Sequence, residues 1–265
     1  MGLFDKKYCD FCGKKIGFLG NKKMEDGNMC RDCASKLSPW FNDRRHSTKE
    51  EIASQLACRE ENREKVAAFH TTRSLGRYYK LFLDEDHRRF MVTNASDLAE
   101  ANPDVLDYSQ VTGCDLDIEE SRHELKQTDK DGKSVSYDPP RYEYSYNFHV
   151  TIGVNHPFFD RIRYSLSNGY VKVGERPAAG TPGGWQFKRP GQGTSLRMND
   201  YYEYLNMGNE IRRAVEDMRL ESRQEAQSAA APKKAVSCPF CGASTVPDEN
   251  GCCEYCGSAL KDLIG

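Results

Sequence analysis

An excess of charge of either sign is missing: 38 Lys and Arg stand against 40 Asp and Glu in 265 residues, a formal charge of -2. A dedicated nucleic-acid binder carries a basic excess, so composition argues against that class. Long apolar runs are missing too. No stretch approaches the roughly 18 apolar residues of a membrane-spanning helix, and the mean hydropathy is -0.77. The opening Met-Gly-Leu-Phe-Asp-Lys has no apolar signal core, and Lys6 stands where N-myristoylation needs Ser or Thr. The expectation is a cytoplasmic protein, neither exported nor integral to a membrane. Catalytic signatures are absent as well. There is no Walker loop, no dinucleotide glycine fingerprint, no nucleophile elbow and no H-E-x-x-H. The six histidines (His46, His70, His87, His123, His149 and His156) are scattered, and none stands beside a plausible nucleophile. The chain is expected to be no enzyme.

What is present is cysteine, 11 in all, eight of them in C-x-x-C pairs: Cys9/Cys12, Cys30/Cys33, Cys238/Cys241 and Cys253/Cys256. Such a pair forms a tight turn that aims both sulfurs at one point, and two turns supply the four thiolates of a tetrahedral zinc site. Gly13, Gly242 and Gly257 each follow the second Cys of a pair. A knuckle needs a residue tolerant of positive φ there. A disulfide framework suits small secreted domains, and a thioredoxin-like pair needs a βαβ setting that these Gly- and Lys-rich ends lack. Two zinc ions are therefore expected. Four cysteines close each shell, whereas catalytic zinc keeps a position open, so both sites are structural. Neither segment buries enough apolar surface to fold without its metal.

Cys252 precedes Cys253 and competes with it for the second site; Cys253 keeps the Cys-Glu-Tyr-Cys-Gly knuckle that mirrors Cys-Pro-Phe-Cys-Gly, and is preferred. Each zinc centre with its four thiolates has a formal charge of about -2, which favours cations around it. Lys6, Lys7, Lys14, Lys15, Lys22 and Lys23 fit that need. The other reading makes them a nucleic-acid face with Tyr8, Phe11 and Phe18 interleaved.

From Ser47 the pattern turns helical. Ser47–Glu50 and Thr48–Glu51 both read as capping boxes, and Ile52, Leu56 and Val66 make a thin stripe to about Phe69, a solvated connector with Cys58 off the stripe. The centre is β-rich. Tyr142, Tyr144, Tyr146, Phe148, Val150, Ile152 and Val154 alternate with polar residues, which predicts a long strand with one buried face, its aromatics in the core, and His149 on the wet face. Tyr79 to Val92 predicts a hairpin about Asp84-Glu85-Asp86, and Asp129-Lys-Asp-Gly132 an Asp-Gly turn. Cys114, Leu116 and Ile118 alternate with acids, Ile162, Tyr164 and Leu166 with arginines, so the wet faces are expected to pair across strands and Cys114 to be core. Gly174 to Arg197, with Trp185 and Phe187, reads as a long loop. A helix opens near Asn199 or Asp200 and carries Tyr201, Tyr204, Leu205, Gly208, Ile211, Val215 and Met218 on one stripe, Gly208 marking close approach to the sheet.

The stretch Cys238-Pro-Phe-Cys-Gly to Cys253-Glu-Tyr-Cys-Gly-Ser-Ala-Leu is similar to compact zinc ribbons at the ends of many bacterial and archaeal proteins. The opening, Cys9-Asp-Phe-Cys-Gly-Lys-Lys-Ile-Gly to Cys30-Arg-Asp-Cys33, resembles the zinc-ribbon module of the bacterial domain of unknown function 4428 family, as do Leu83-Asp-Glu-Asp, Phe90-Met-Val and Asp107-Tyr-Ser-Gln-Val further on. The resemblance implies zinc at Cys9, Cys12, Cys30 and Cys33 and no established activity. Short strands before a C-terminal amphipathic helix resemble pleckstrin-homology-like barrels, a platform for lipid or peptide.

The chain thus reads as α+β: an N-terminal four-cysteine zinc module at 1–46, a connector helix at 47–70, an antiparallel β core with its C-terminal helix at 71–225, a flexible linker at 226–236 and a four-cysteine zinc ribbon at 237–265. The function expected is a non-enzymatic adaptor whose tethered ribbon recognises another protein. The alternatives are a peripheral lipid-binding or nucleic-acid-associated factor working through the basic N-terminal module, and a zinc- or redox-responsive sensor using Cys252.

Overall fold

The computed structural model describes residues 6–177, 198–230, 235–248 and 251–260, so Trp185 and Phe187 lie outside the described residues. The N-terminal module is two minimal hairpins and one helical turn. β1 (Lys7–Tyr8) pairs with β2 (Lys15–Ile16), β3 (Lys22–Lys23) with β4 (Asn28–Met29), and α1 (Arg31–Ala34) follows at once. Its apolar core is Ile16, Met24, Met29 and Leu37, completed by Ile52 from the next helix.

That helix, α2 (Lys49–Ala67), starts at a capping box. Of the two boxes legible in the sequence, the one that forms is Thr48–Glu51: the Glu51 amide donates to Thr48 Oγ1 at 3.3 Å and the Thr48 amide to Glu51 Oε2 at 2.8 Å. Ser47 instead donates its hydroxyl to the Asp43 carbonyl, 2.9 Å away. The inner face of α2 is Ile52, Gln55, Arg59, Asn62 and Val66. The helix docks one narrow face, as expected, with Leu56 packed at its edge against the N-terminal core, but the middle of that face is polar, which the expected apolar stripe did not anticipate.

Arg59 and Asp104 pair at 2.7 Å with side chains 8% and 7% exposed. Arg59 Nε also donates to the Lys36 carbonyl at 3.2 Å, and Ser38 Oγ to Asp104 Oδ2 at 2.7 Å. One turn on, Asn62 donates to Asn102 Oδ1 and the Pro103 carbonyl and accepts from the Val105 amide, while Asn102 Nδ2 donates to the Arg59 carbonyl. Buried charges persist only with their hydrogen-bond capacity met, as it is here. Lys36 and Ser38 belong to the N-terminal module, so the network anchors that module to α2 and to the loop at 102–105.

β5 (Arg73–Gly76), β6 (Lys80–Asp84) and β7 (Arg89–Thr93) form an antiparallel meander that includes the expected hairpin. A short α3 (Leu98–Ala101) leads to β8 (Leu106–Asp107), which pairs with β7, giving the order β5-β6-β7-β8. The second sheet is built on one long strand. β9 (Val111–Thr128) runs along one edge of β10 (Ser134–His156); β11 (Phe159–Ser165) and β12 (Val171–Pro177) share the other edge in succession. The β9–β10 turn is the expected Asp-Gly corner, with Asp129 Oδ1 accepting from the amides of Asp131 and Lys133 and Gly132 at φ 79°.

Both sheets share one core with α4 (Met198–Ala230): Leu81, Leu83, Phe90 and Val92 from the first, Phe148, Val150, Ile152 and Ile162 from the second, and Ile211, Val215 and Met218 from the helix. Gly208 marks a close approach of α4 to the sheet, since a Cβ there would stand 2.6 Å from Leu116 Cδ1. The aromatic run of β10 departs from expectation. Its buried face begins at Phe148, and Tyr142, Tyr144 and Tyr146 are only half-buried. The reason is length: β6 and β7, five residues each, span about 17 Å, and the 23 residues of β10 outrun them several-fold. The wet faces do pair, Arg163 reaching across β10 to Asp117 at 3.3 Å and Glu119 at 2.8 Å. His149, on that wet face, has its Nε2 3.5 Å from Glu119 Oε2.

The chain divides into two compact units, Met1–Leu220 and Glu221–Gly265. The helix runs through the start of the expected linker, to residue 230; residues 231–234 lie outside the described set. The second unit's ribbon carries the hairpin β13 (Val236–Ser237) and β14 (Ser244–Thr245) and a bridge between Cys252 and Ala259. The whole is α+β, with antiparallel sheets, a C-terminal helix and a four-cysteine cluster near each end.

Candidate metal centres

In the first cluster Cys9 and Cys12 sit on the turn between β1 and β2. The Cys9 amide donates to the Lys14 carbonyl and the Gly13 amide to the Cys9 carbonyl, each at 2.9 Å, and Gly13 takes φ 68°. Cys30 and Cys33 come from a different device: Cys30 is the N-cap of α1 and its Sγ accepts from the Cys33 amide at 3.4 Å. A helical turn needs no positive φ, which is why Ala34 stands where the other pairs carry Gly. The second cluster is two true knuckles. Gly242 and Gly257, at φ 72° and 73°, donate to the carbonyls of Cys238 and Cys253 at 2.8 Å, repeating the first turn.

In each cluster all four sulfurs lie within 4.8 Å of one another, the groups being Cys9, Cys12, Cys30, Cys33 and Cys238, Cys241, Cys253, Cys256. Individual separations decide between metal and disulfide. Cys12 to Cys30 and Cys238 to Cys256 are 3.6 Å, and Cys241 to Cys253 is 3.7 Å. A disulfide needs about 2.0 Å, whereas a tetrahedron with Zn–S of about 2.3 Å has edges of about 3.8 Å. The sulfur cages fit zinc. With four thiolates each they are closed shells, the coordination of structural zinc.

The electrostatics of the bare thiols point the same way. Burial raises Cys9, but amides of Cys30, Cys12 and Phe11 outweigh it and bring the thiol down to about 6. Cys33 moves up through burial and its neighbours Cys12, Cys30 and Cys9. In the second cluster the Ser258 hydroxyl and amide lower Cys256 to about 6. Cys241 is lowered by the Ala243 amide, yet burial and hydrogen bonds from the other three thiols leave it pushed up to about 12. Crowded thiols thus split their protons, and a divalent cation is what stabilises four thiolates together. Lys14 is raised by its contact with Asp32, 3.4 Å away, and then by the charges of Asp32, Cys12 and Cys30, so at least one basic residue serves the cluster's charge.

The remaining cysteines stay out of both clusters. Cys252 directs its amide to Asp248 Oδ1 at 2.8 Å, and the sulfur that completes the second cage is that of Cys253. Burial raises Cys58, and burial followed by the Asp115 charge pushes Cys114 up to about 12, which suits packed thiols rather than nucleophiles. The sequence reading missed a third grouping, His70 with Asp84 and Asp86. No spacing rule links a histidine beyond the end of α2 to a hairpin fourteen residues on.

Residues 7–55 match the family model described as a domain of unknown function (DUF4428). The match takes in the whole first cluster and stops inside α2, just past Ile52, the helix residue that completes the module's core. No curated protein matches the chain, and no solved structure does, so the likeness to pleckstrin-homology-like barrels has no structural relative behind it. Among the described residues no helix is long and apolar enough to cross a membrane.

Proposed function

We propose that the protein is a non-enzymatic zinc-binding adaptor of the cytoplasm, whose C-terminal ribbon recognises another protein. The observation that carries this reading is a pair of aromatics. Phe240 and Tyr255 occupy the same place in the two knuckles, third in each C-x-x-C, and both are 71% exposed. Among the described residues the ribbon's core is Cys238, Cys253 and Leu260 with Val236 against them, and the two aromatics are not part of it. Exposed aromatics on a rigid turn are the residue type that protein interfaces enrich. A closed zinc shell supplies the rigidity and offers no chemistry of its own.

The test is a reducing affinity capture with the intact chain and with Phe240→Ala/Tyr255→Ala, zinc being assayed on both baits. The expected outcome is equal zinc and loss of a defined protein from the variant. Equal capture by both baits overturns the ribbon as reader.

A second reading has its own observation. Phe18 and Leu19 are 87% and 77% exposed at a turn flanked by Lys15, Lys22 and Lys23. Apolar residues among lysines suit a lipid surface or a nucleic-acid backbone. Binding of that kind weakens steeply with added salt, whereas capture through Phe240 and Tyr255 does not.

A further inference from the structure

We infer that His70, Asp84 and Asp86 form a third site, open and exchangeable, for a divalent transition metal held by nitrogen and oxygen. The site has one fixed point. The Asp84 side chain is 0% exposed, and its carboxylate accepts from the backbone amides of His70 at 3.0 Å and His87 at 3.1 Å. It thereby joins two distant segments, the loop after α2 and the β6–β7 turn. Backbone capping accounts for those two contacts and for no more. Side chains add to it: His70 Nδ1 lies 2.8 Å from Asp86 Oδ2, and His87 Nδ1, 2.9 Å from both Asp84 oxygens, orients the buried carboxylate. Donor atoms of His70, Asp84 and Asp86 all fall within 4.8 Å of one another.

One imidazole and two carboxylates are a borderline-hard donor set that suits Zn2+, Co2+ or Ni2+, unlike the soft thiolate cages at the ends of the chain. With a neutral ring the cluster carries two negative charges, which one divalent ion cancels. Neutral His70 binds the ion through Nδ1 as its Nε2–H tautomer, so the proton given up at Nδ1 is matched by one taken up at Nε2 from solvent and the ring stays neutral. Ligand edges around an ion bound at 2.0–2.2 Å are about 3.4 Å, so the present contacts open by roughly half an ångström. The side chains that must move, His70 and Asp86, are the exposed ones, while buried Asp84 stays as the base. A site with two of its three ligands exposed exchanges its ion readily.

The probe is Co2+ added to untagged, zinc-loaded full-length protein, followed by visible absorption. The expected result is one further equivalent, with ligand-field bands and none of the intense near-ultraviolet charge transfer that thiolate ligands produce. His70→Ala/Asp86→Ala, which keeps Asp84 and its backbone contacts, is expected to bind that equivalent at least tenfold more weakly with an unchanged circular-dichroism spectrum. His70→Gln serves as the second variant and should also weaken binding. Saturation unchanged in the variants, absence of a further equivalent at submillimolar cobalt, or charge-transfer bands alone, reporting exchange into the cysteine cages, would each overturn the site.

Discussion

Cys252 and Cys253 are adjacent and chemically alike, yet only Cys253 has its carbonyl capped by a following glycine amide, Gly257, and its sulfur in the cage. Cys253→Ser is therefore expected to lose one zinc and Cys252→Ser none, read by metal analysis of the purified variants; the reverse would refute the ligand choice. The same turn logic made Gly13, Gly242 and Gly257 legible in the sequence. It also explains Ala34, whose meaning was not legible until α1 was seen to replace a knuckle. Gly208 was readable from its place on the helix stripe. Gly208→Val should cost about 1–3 kcal/mol by overpacking against Leu116, whereas in Gly208→Ala the gain of about 1 kcal/mol in helix propensity offsets part of the crowding. Urea melts of the two variants separate these outcomes.

At the scale of elements, α2 shows where periodicity stops informing. Its capping box and its apolar ends, Ile52 and Val66, follow from local sequence. Its polar centre does not, because the partner of Arg59 is Asp104, 45 positions away, and no helical spacing encodes that distance. Arg59→Met strands a buried carboxylate and should destabilise by about 3–5 kcal/mol, while adding Asp104→Leu should restore much of the loss. Equilibrium unfolding of the single and double variants tests this, and equal loss in both would mean that packing, not charge, dominates. β10 teaches the complementary lesson. Alternation fixed which face each residue occupies, but how far the core extends along that face depends on the partner strands. Phe148 is therefore buried where Tyr142 is only half-buried.

At the scale of the molecule, the two cysteine clusters depend on metal to different extents. The first has Ile52 and Leu37 in its core and the Arg59–Asp104 network behind it; among the described residues the second adds to its cysteines only Leu260, with Val236 against it. Zinc bound in such small modules is worth roughly 10–16 kcal/mol. Chelation is expected to abolish hydrogen-exchange protection throughout 236–260, to reduce it in 7–34, and to leave the β core around Phe148, Ile152 and Ile162 protected. Loss of protection in the core would show instead that all three regions fold as one. The measurement that tests the account most directly is zinc per chain in the intact protein and in Cys253→Ser/Cys256→Ser, after dialysis against a weak chelator that empties open sites. The account requires two zinc ions in the first and one in the second. A single ion in the intact chain, or two in the variant, would contradict it.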